Sequence, residues 1–163
     1  MAKKQLIVIL MVFLLFDSVF ALENYIVDIQ KKTADIDGYR SYKKVEKDAM
    51  DYSLEGGSLT GYFKGTVLSK LVATLYGEMY KEIQEYYFYD KKLIFVTIKE
   101  YRYDKPFGKT KETKQWRYYF LNDRLEKLLS EDKNEIVKGS AEFVDAEVKI
   151  LKSAKDFAER VKG

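Results

Sequence analysis

The chain has 163 residues, with 29 Lys and Arg against 26 Asp and Glu, and contains neither Cys nor His. Lack of Cys excludes disulfides, thiol chemistry and a lipid-bearing N-terminal cysteine. Lack of His excludes Ser-His-Asp and Cys-His catalysis and removes the commonest zinc ligand, while a formal charge of +3 gives no electrostatic case for nucleic acid.

The N-terminus has three parts. Lys3 and Lys4 are basic, Leu6–Phe16 is an unbroken apolar run, and Asp17-Ser18 interrupts it before Val19-Phe20-Ala21. Short residues at the −3 and −1 positions before Leu22 complete the pattern of a secretory signal. A bilayer span needs about 20 apolar residues, so the run is too short for an anchor. Residues 1–21 are therefore expected to be a cleaved signal peptide, and the mature protein to be periplasmic or secreted. Residues 22–163 are expected to form a single α+β domain with no membrane span.

Ile26, Ile29, Thr33 and Ile36 repeat with helical spacing, and Gly38 stands where a C-terminal cap would be. Residues 39–57 are polar and read as irregular. Then one pattern occurs three times: Tyr62-Phe63 with Leu68, Tyr87-Phe88 with Leu93, and Tyr119-Phe120 with Leu125. Lys-Gly, Asp-Lys and Asn-Asp lie between the Phe and the Leu, so each copy predicts a β-hairpin with a tight turn. Three hairpins in series predict a six-stranded antiparallel meander over 57–130. Opposing Phe88 to Leu93 and continuing without interruption sets Glu82 against Lys99, Lys81 against Glu100, Tyr80 against Tyr101 and Ile83 against Ile98, all favourable pairs.

Strict alternation from that register predicts two unlike faces. One carries Val67, Leu71, Ala73, Leu75, Ile83, Tyr87, Ile94, Val96, Ile98 and Leu128. The other carries Phe63, Tyr76, Tyr80, Tyr86, Phe88, Phe95, Tyr101, Tyr103, Trp116, Tyr118 and Phe120, interrupted by Gln84, Thr97 and Lys99. Asp104–Lys114 is expected to be the longest connection within the sheet. Residues 141–162 predict a helix capped by Ser140, with Val144, Val148, Leu151 and Ala158 on one side, Ile150, Ala154, Phe157 and Val161 close by, and Asp145–Lys149 and Asp156–Arg160 as i,i+4 pairs. Both helices are expected to cover the aliphatic face.

The hairpin pattern Tyr-Tyr-Phe-x-Asp/Asn-x-Lys/Arg-Leu, preceded by Leu75-Tyr76-Gly77-Glu78, resembles a loose group of uncharacterised secreted bacterial proteins. More distantly it resembles MORN-type hairpin repeats. The resemblance covers residues 57–129. It implies an export route and a sheet, and it supplies no catalytic residues.

Paired carboxylates are the one acid/base option left. Glu85 is the sharpest candidate, since the pattern sets it between Ile83 and Tyr87, where it would either be a desolvated acid or pair with Arg117. The aromatic face is the better candidate, because rings and flanking polar groups can hold a ligand. Its expected binding residues are Trp116, Tyr118, Tyr86, Phe95, Tyr101, Gln84 and Lys99. The favoured expectation is an extracytoplasmic binding module, not an enzyme, that uses no cofactor or metal and takes an envelope protein or glycan as partner. The alternatives are a structural or inhibitor-like protein docking on an envelope partner through the Asp104–Lys114 loop and the sheet edge, and a hydrolase built on Glu85.

Overall fold

The computed structural model describes residues 23–163. The signal peptide expected over 1–21 lies outside the described residues. The fold is α+β: helix α1 (residues 23–38), seven strands in one antiparallel sheet, and helix α2 (Ala141–Lys162). The strands follow chain order: β1 Lys43–Asp48, β2 Gly57–Lys64, β3 Val67–Gly77, β4 Tyr80–Tyr89, β5 Lys92–Tyr103, β6 Thr110–Leu121 and β7 Arg124–Leu129.

The three hairpins form where the pattern predicts them. Phe63 opposes Leu68, Phe88 opposes Leu93 and Phe120 opposes Leu125. Asp90-Lys91 and Asn122-Asp123 take positive φ at both turn positions, whereas the first turn places Gly65 at φ 62°. These backbone conformations match the twist of the flanking strands. Four expectations about the sheet and what covers it are corrected. There are seven strands, because Lys43–Asp48 within the stretch read as irregular pairs with Ser58–Phe63. Val45 is its single aliphatic residue, so the strand carries little hydrophobic signal. Its charge suits an outer strand, whose free backbone edge would otherwise invite aggregation.

The register beyond each turn is the second correction. Each hairpin shifts by one residue immediately past the Phe, leaving Ser69, Ile94 and Glu126 as extra residues. Such a bulge puts two successive residues opposite one. Glu82 therefore faces Glu100, Lys81 faces Tyr101, Tyr80 faces Arg102 and Ile83 faces Lys99. The favourable pairs expected from unbroken pairing do not form.

The third correction follows from the second. Because the bulge reverses the alternation, aromatic and aliphatic residues share a face. Phe63, Tyr86, Tyr118 and Phe120 are buried with Leu71, Ala73, Val96, Ile98 and Leu128 under α2. On the opposite face Tyr87, Ile94 and Tyr119 are buried with Ile29 and Ile36 of α1. The helices lie on opposite faces and not together.

Helix α2 begins as expected, with Ser140 Oγ accepting from Phe143 N. Its buried stripe is Phe143, Ile150, Ala154, Phe157, Ala158 and Val161, whereas Val144 and Val148 are exposed. The expected Asp156–Arg160 pair is replaced: Asp156 binds Lys152, and Arg160 reaches Asp48 (3.6 Å) and Asp51 (3.7 Å). Phe157 meets Tyr86 edge-on, with ring centroids 5.8 Å apart, and Tyr52 at 4.8 Å. A Cβ at Gly61 would lie 3.0 Å from Val161, so glycine there lets α2 approach the sheet. Glu147 accepts from Leu125 N at 2.8 Å, which fixes α2 to the third hairpin. On the other face Tyr25 donates to the Phe120 carbonyl. The left-handed cap expected at Gly38 does not form; Tyr42 instead donates to the Ile36 carbonyl at 3.0 Å. The loop after β5 is the fourth correction. It spans 104–109, with Lys111 and Lys114 inside β6, and Phe107 N bonded to the Glu78 carbonyl.

Two outcomes are expected. Phe157→Ala removes the ring wedged between Tyr52 and Tyr86 and should cost about 3–5 kcal/mol in urea unfolding. Burial raises the phenols of Tyr25, Tyr87 and Tyr118 from 10.0 to about 12. The folded state thus favours their neutral form, and that stability is complete below pH 10 and lost as pH rises through 12. Alkaline titration followed at the tyrosinate absorbance should show these phenols ionising only as the fold is lost.

Candidate functional site

Helix α1 runs across the strands near the turns after β2, β4 and β6. Tyr25 at one end reaches β6, and Lys32 stacks on Tyr89 of β4 at 4.4 Å. The row of paired residues at this level is Lys44, Tyr62, Lys70, Tyr87, Phe95, Tyr119 and Lys127. A helix is about 10–12 Å across, and alternate residues on a strand are about 7 Å apart. A crosswise helix therefore covers one or two rows and leaves the rest of a long sheet uncovered.

The next rows on this face are polar. One runs Glu46, Thr60, Val72, Glu85, Thr97, Arg117 and Leu129 across all seven strands. Another runs Asp48, Ser58, Thr74, Ile83, Lys99 and Gln115, and a third Tyr76, Lys81, Tyr101 and Thr113. Gln115 donates to Thr97 Oγ1 at 2.8 Å, and Arg117 donates to Gln115 Oε1 at 3.1 Å. Lys81 lies 5.7 Å from the Tyr101 ring centroid. Among the described residues, none of Lys81, Lys99 and Arg117 has an acidic partner within 4 Å. This half-face joins hydrogen-bonding groups, the two rings of Tyr76 and Tyr101, and three available cations.

Where α1 ends, a polar cluster ties it to the sheet. Lys70 Nζ lies 2.7 Å from Asp37 Oδ1, 2.7 Å from Glu85 Oε1 and 2.9 Å from the Tyr87 hydroxyl, which also donates to Asp37 at 3.0 Å. Burial alone would lower the Lys70 ammonium, but these hydrogen bonds outweigh it and hold the group above the usual lysine range. Glu85 is thus paired, yet with Lys70 and not Arg117. Lys70 lies on the neighbouring strand β3 and joins the face of Glu85 only because the bulge at Ser69 shifts the alternation, while Asp37 reaches Lys70 from a helix 33 residues earlier.

The seven residues expected to bind ligand divide between the faces. Tyr86, Tyr118, Trp116 and Gln84 lie on the α2 side, where Tyr86 has 0% exposure and Trp116 packs partly buried on the core. The exposed aromatic face expected from alternation is therefore not formed: Tyr86 and Tyr118 belong to the core, Gln84 is buried beside them, and Trp116 packs against it half-buried. Phe95, Lys99 and Tyr101 lie on the α1 side, with Phe95 packed against Tyr87 and Tyr119. Only Lys99 and Tyr101 stand on the uncovered half. Sequence reasoning missed Lys81, Gln115 and Arg117 as their neighbours. The cross-strand pairs of β4, β5 and β6 hold that information, once the bulges are known.

Two cations near the 104–109 loop are occupied: Arg102 binds Glu100, and Lys114 lies 2.8 Å from Glu131. Among the described residues there is no group of three or more Asp or Glu arranged to hold a metal, and no helix long and apolar enough to cross a membrane. Comparison with protein-family models, curated proteins and solved structures gives no match.

Lys70→Met leaves Asp37, Glu85 and Tyr87 without their shared donor. Two of these remain partly hydrated, so the cost should be about 1–3 kcal/mol. Amide exchange over residues 23–38 should accelerate in this variant, and less so in Lys70→Arg.

Proposed function

We propose that the chain is an extracytoplasmic binding module that holds an extended segment of an envelope protein or glycan across the uncovered half of the α1-side face. The observation that carries this reading is the trio Lys81, Lys99 and Arg117, displayed without acidic partners around Thr97, Gln115 and Tyr101. Cations in a partly buried setting attract an anionic or strongly polar ligand, and side chains held on paired strands lose little entropy on binding. Tyrosine adds a rigid ring with a hydroxyl at its tip. Polar groups arrayed in rows across several strands suit an extended ligand better than a compact one. Export rests on the N-terminal Lys3–Ala21 pattern.

A second reading has its own observation. β6 pairs with β5 from Thr110, whereas β7 pairs only with Arg117–Leu121 of β6. Among the described residues Thr110–Trp116 has no strand on its outer side. An extended segment of an envelope partner can add there by main-chain hydrogen bonds. The hydrolase reading has the weakest support, because Lys70 engages Glu85 at 2.7 Å and Asp37 at 2.7 Å.

Capture of a partner from envelope extract by tagged residues 22–163 separates the readings. Lys99→Glu combined with Arg117→Glu should weaken capture about tenfold or more, while Thr113→Pro should not. The reverse pattern favours strand addition. Capture unaffected by either change removes both surfaces.

A further inference from the structure

The same side of the sheet also holds a concave site. At the C-terminal end of α1 a pocket of ≈ 220 Å³ is lined by Ile36, Asp37, Tyr39, Arg40, Tyr42, Lys44, Tyr62 and Lys70. The end of α1, the link that follows it and three strands meet there. Tyr39, Arg40 and Tyr42 come from the link between α1 and β1, Lys44 from β1, and Tyr62 and Lys70 from β2 and β3.

The rings are held in place. Tyr39 and Tyr42 meet at 4.7 Å with an interplanar angle of 69°, and Tyr42 and Tyr62 at 5.8 Å with 85°. The Tyr42 hydroxyl is fixed by its bond to the Ile36 carbonyl. Wall orientation is thus set before any ligand arrives, which lowers the entropy cost of binding.

The charges are unevenly spent. Lys70 is compensated by Asp37 and Glu85. Arg40 and Lys44 have no acidic partner within 4 Å among the described residues. Lys44 Nζ lies 5.3 Å from the Tyr62 ring centroid, so the ring positions the ammonium at the pocket rim. A guanidinium in this position can bind a carboxylate through two parallel N–H donors. Tyrosine rings can pack against the C–H faces of a sugar while their hydroxyls meet its hydroxyls.

We propose that this pocket is a second binding site, separate from the uncovered half-face, and that it takes one carboxylated sugar ring of the uronic acid class. Arg40 and Lys44 bind the carboxylate, and Tyr39, Tyr42 and Tyr62 form the wall against which the ring lies. The site involves none of Lys81, Lys99 and Arg117, so it stands or falls independently of the surface proposed above.

The test titrates residues 22–163 with glucuronate, glucose and inorganic phosphate in low salt, followed by calorimetry and by amide and side-chain NMR shifts. Glucuronate should bind, shifting residues 39–44 and Tyr62, and glucose should bind at least about tenfold more weakly. Arg40→Gln with Lys44→Gln should reduce glucuronate affinity about tenfold or more without changing the circular dichroism spectrum. Tyr62→Leu should weaken binding while the charge is kept. No binding of glucuronate at tens of millimolar, or binding unchanged in the double variant, would overturn the proposal. Phosphate bound as tightly as glucuronate, with Tyr62→Leu silent, would also overturn it, since the pocket would then be reading charge alone.

Discussion

One residue too many in each hairpin governs this fold. Ser69, Ile94 and Glu126 each lie just past the Leu that opposes a Phe, and each is left out of the pairing. Leu93 therefore faces α2, Ile94 and Phe95 both join the α1 side, and Val96 returns to α2. Without the extra residue, Phe88, Leu93, Val96 and Ile98 could not share one core. The bulge recurs at the same place three times, so the three hairpins bend and twist alike.

Two apolar faces require two covers. Helix α2 spans the sheet from Leu125, where Glu147 holds the backbone, to Gly61, where Val161 sits close. Helix α1 crosses the opposite face, fixed by Tyr25 at the third hairpin and by Asp37, Lys70, Tyr87 and Glu85 at the other end. Hydrophobic burial supplies most of the attachment, while the polar contacts select position and register. Strands of 10–12 residues are about 35 Å long, far more than one crosswise helix can cover. The uncovered remainder is where threonines, lysines and glutamine replace the apolar residues.

That division gives the functional reading its physical basis. Lys99 on β5 and Arg117 on β6 each sit between two paired strands, which limits their motion. The tyrosines at the end of α1 form a smaller, curved counterpart on the same side. Both surfaces present cations not already neutralised nearby, in contrast to Lys70, Arg102 and Lys114, which are engaged by carboxylates. A chain close to overall neutrality can still display local positive potential in this way.

Local chemistry determined much by itself. Asp-Lys and Asn-Asp flanked by rings and Leu specify tight turns, whatever surrounds them. Ser140 ahead of a periodic apolar stretch specifies where α2 starts. The absence of His and Cys limits the catalytic options at once. Strand β1 escaped because an edge strand needs charge more than hydrophobicity. The faces escaped for a different reason: alternation is a reliable rule only while pairing is unbroken, and a bulge reverses it without changing composition. Glu85 illustrates the same point, since its partner Lys70 joins its face from the neighbouring strand only because the bulge at Ser69 shifts the alternation. Which side chains are core and which are surface was left to tertiary structure, because a single extra residue per hairpin and the path of one helix assign every side chain its environment.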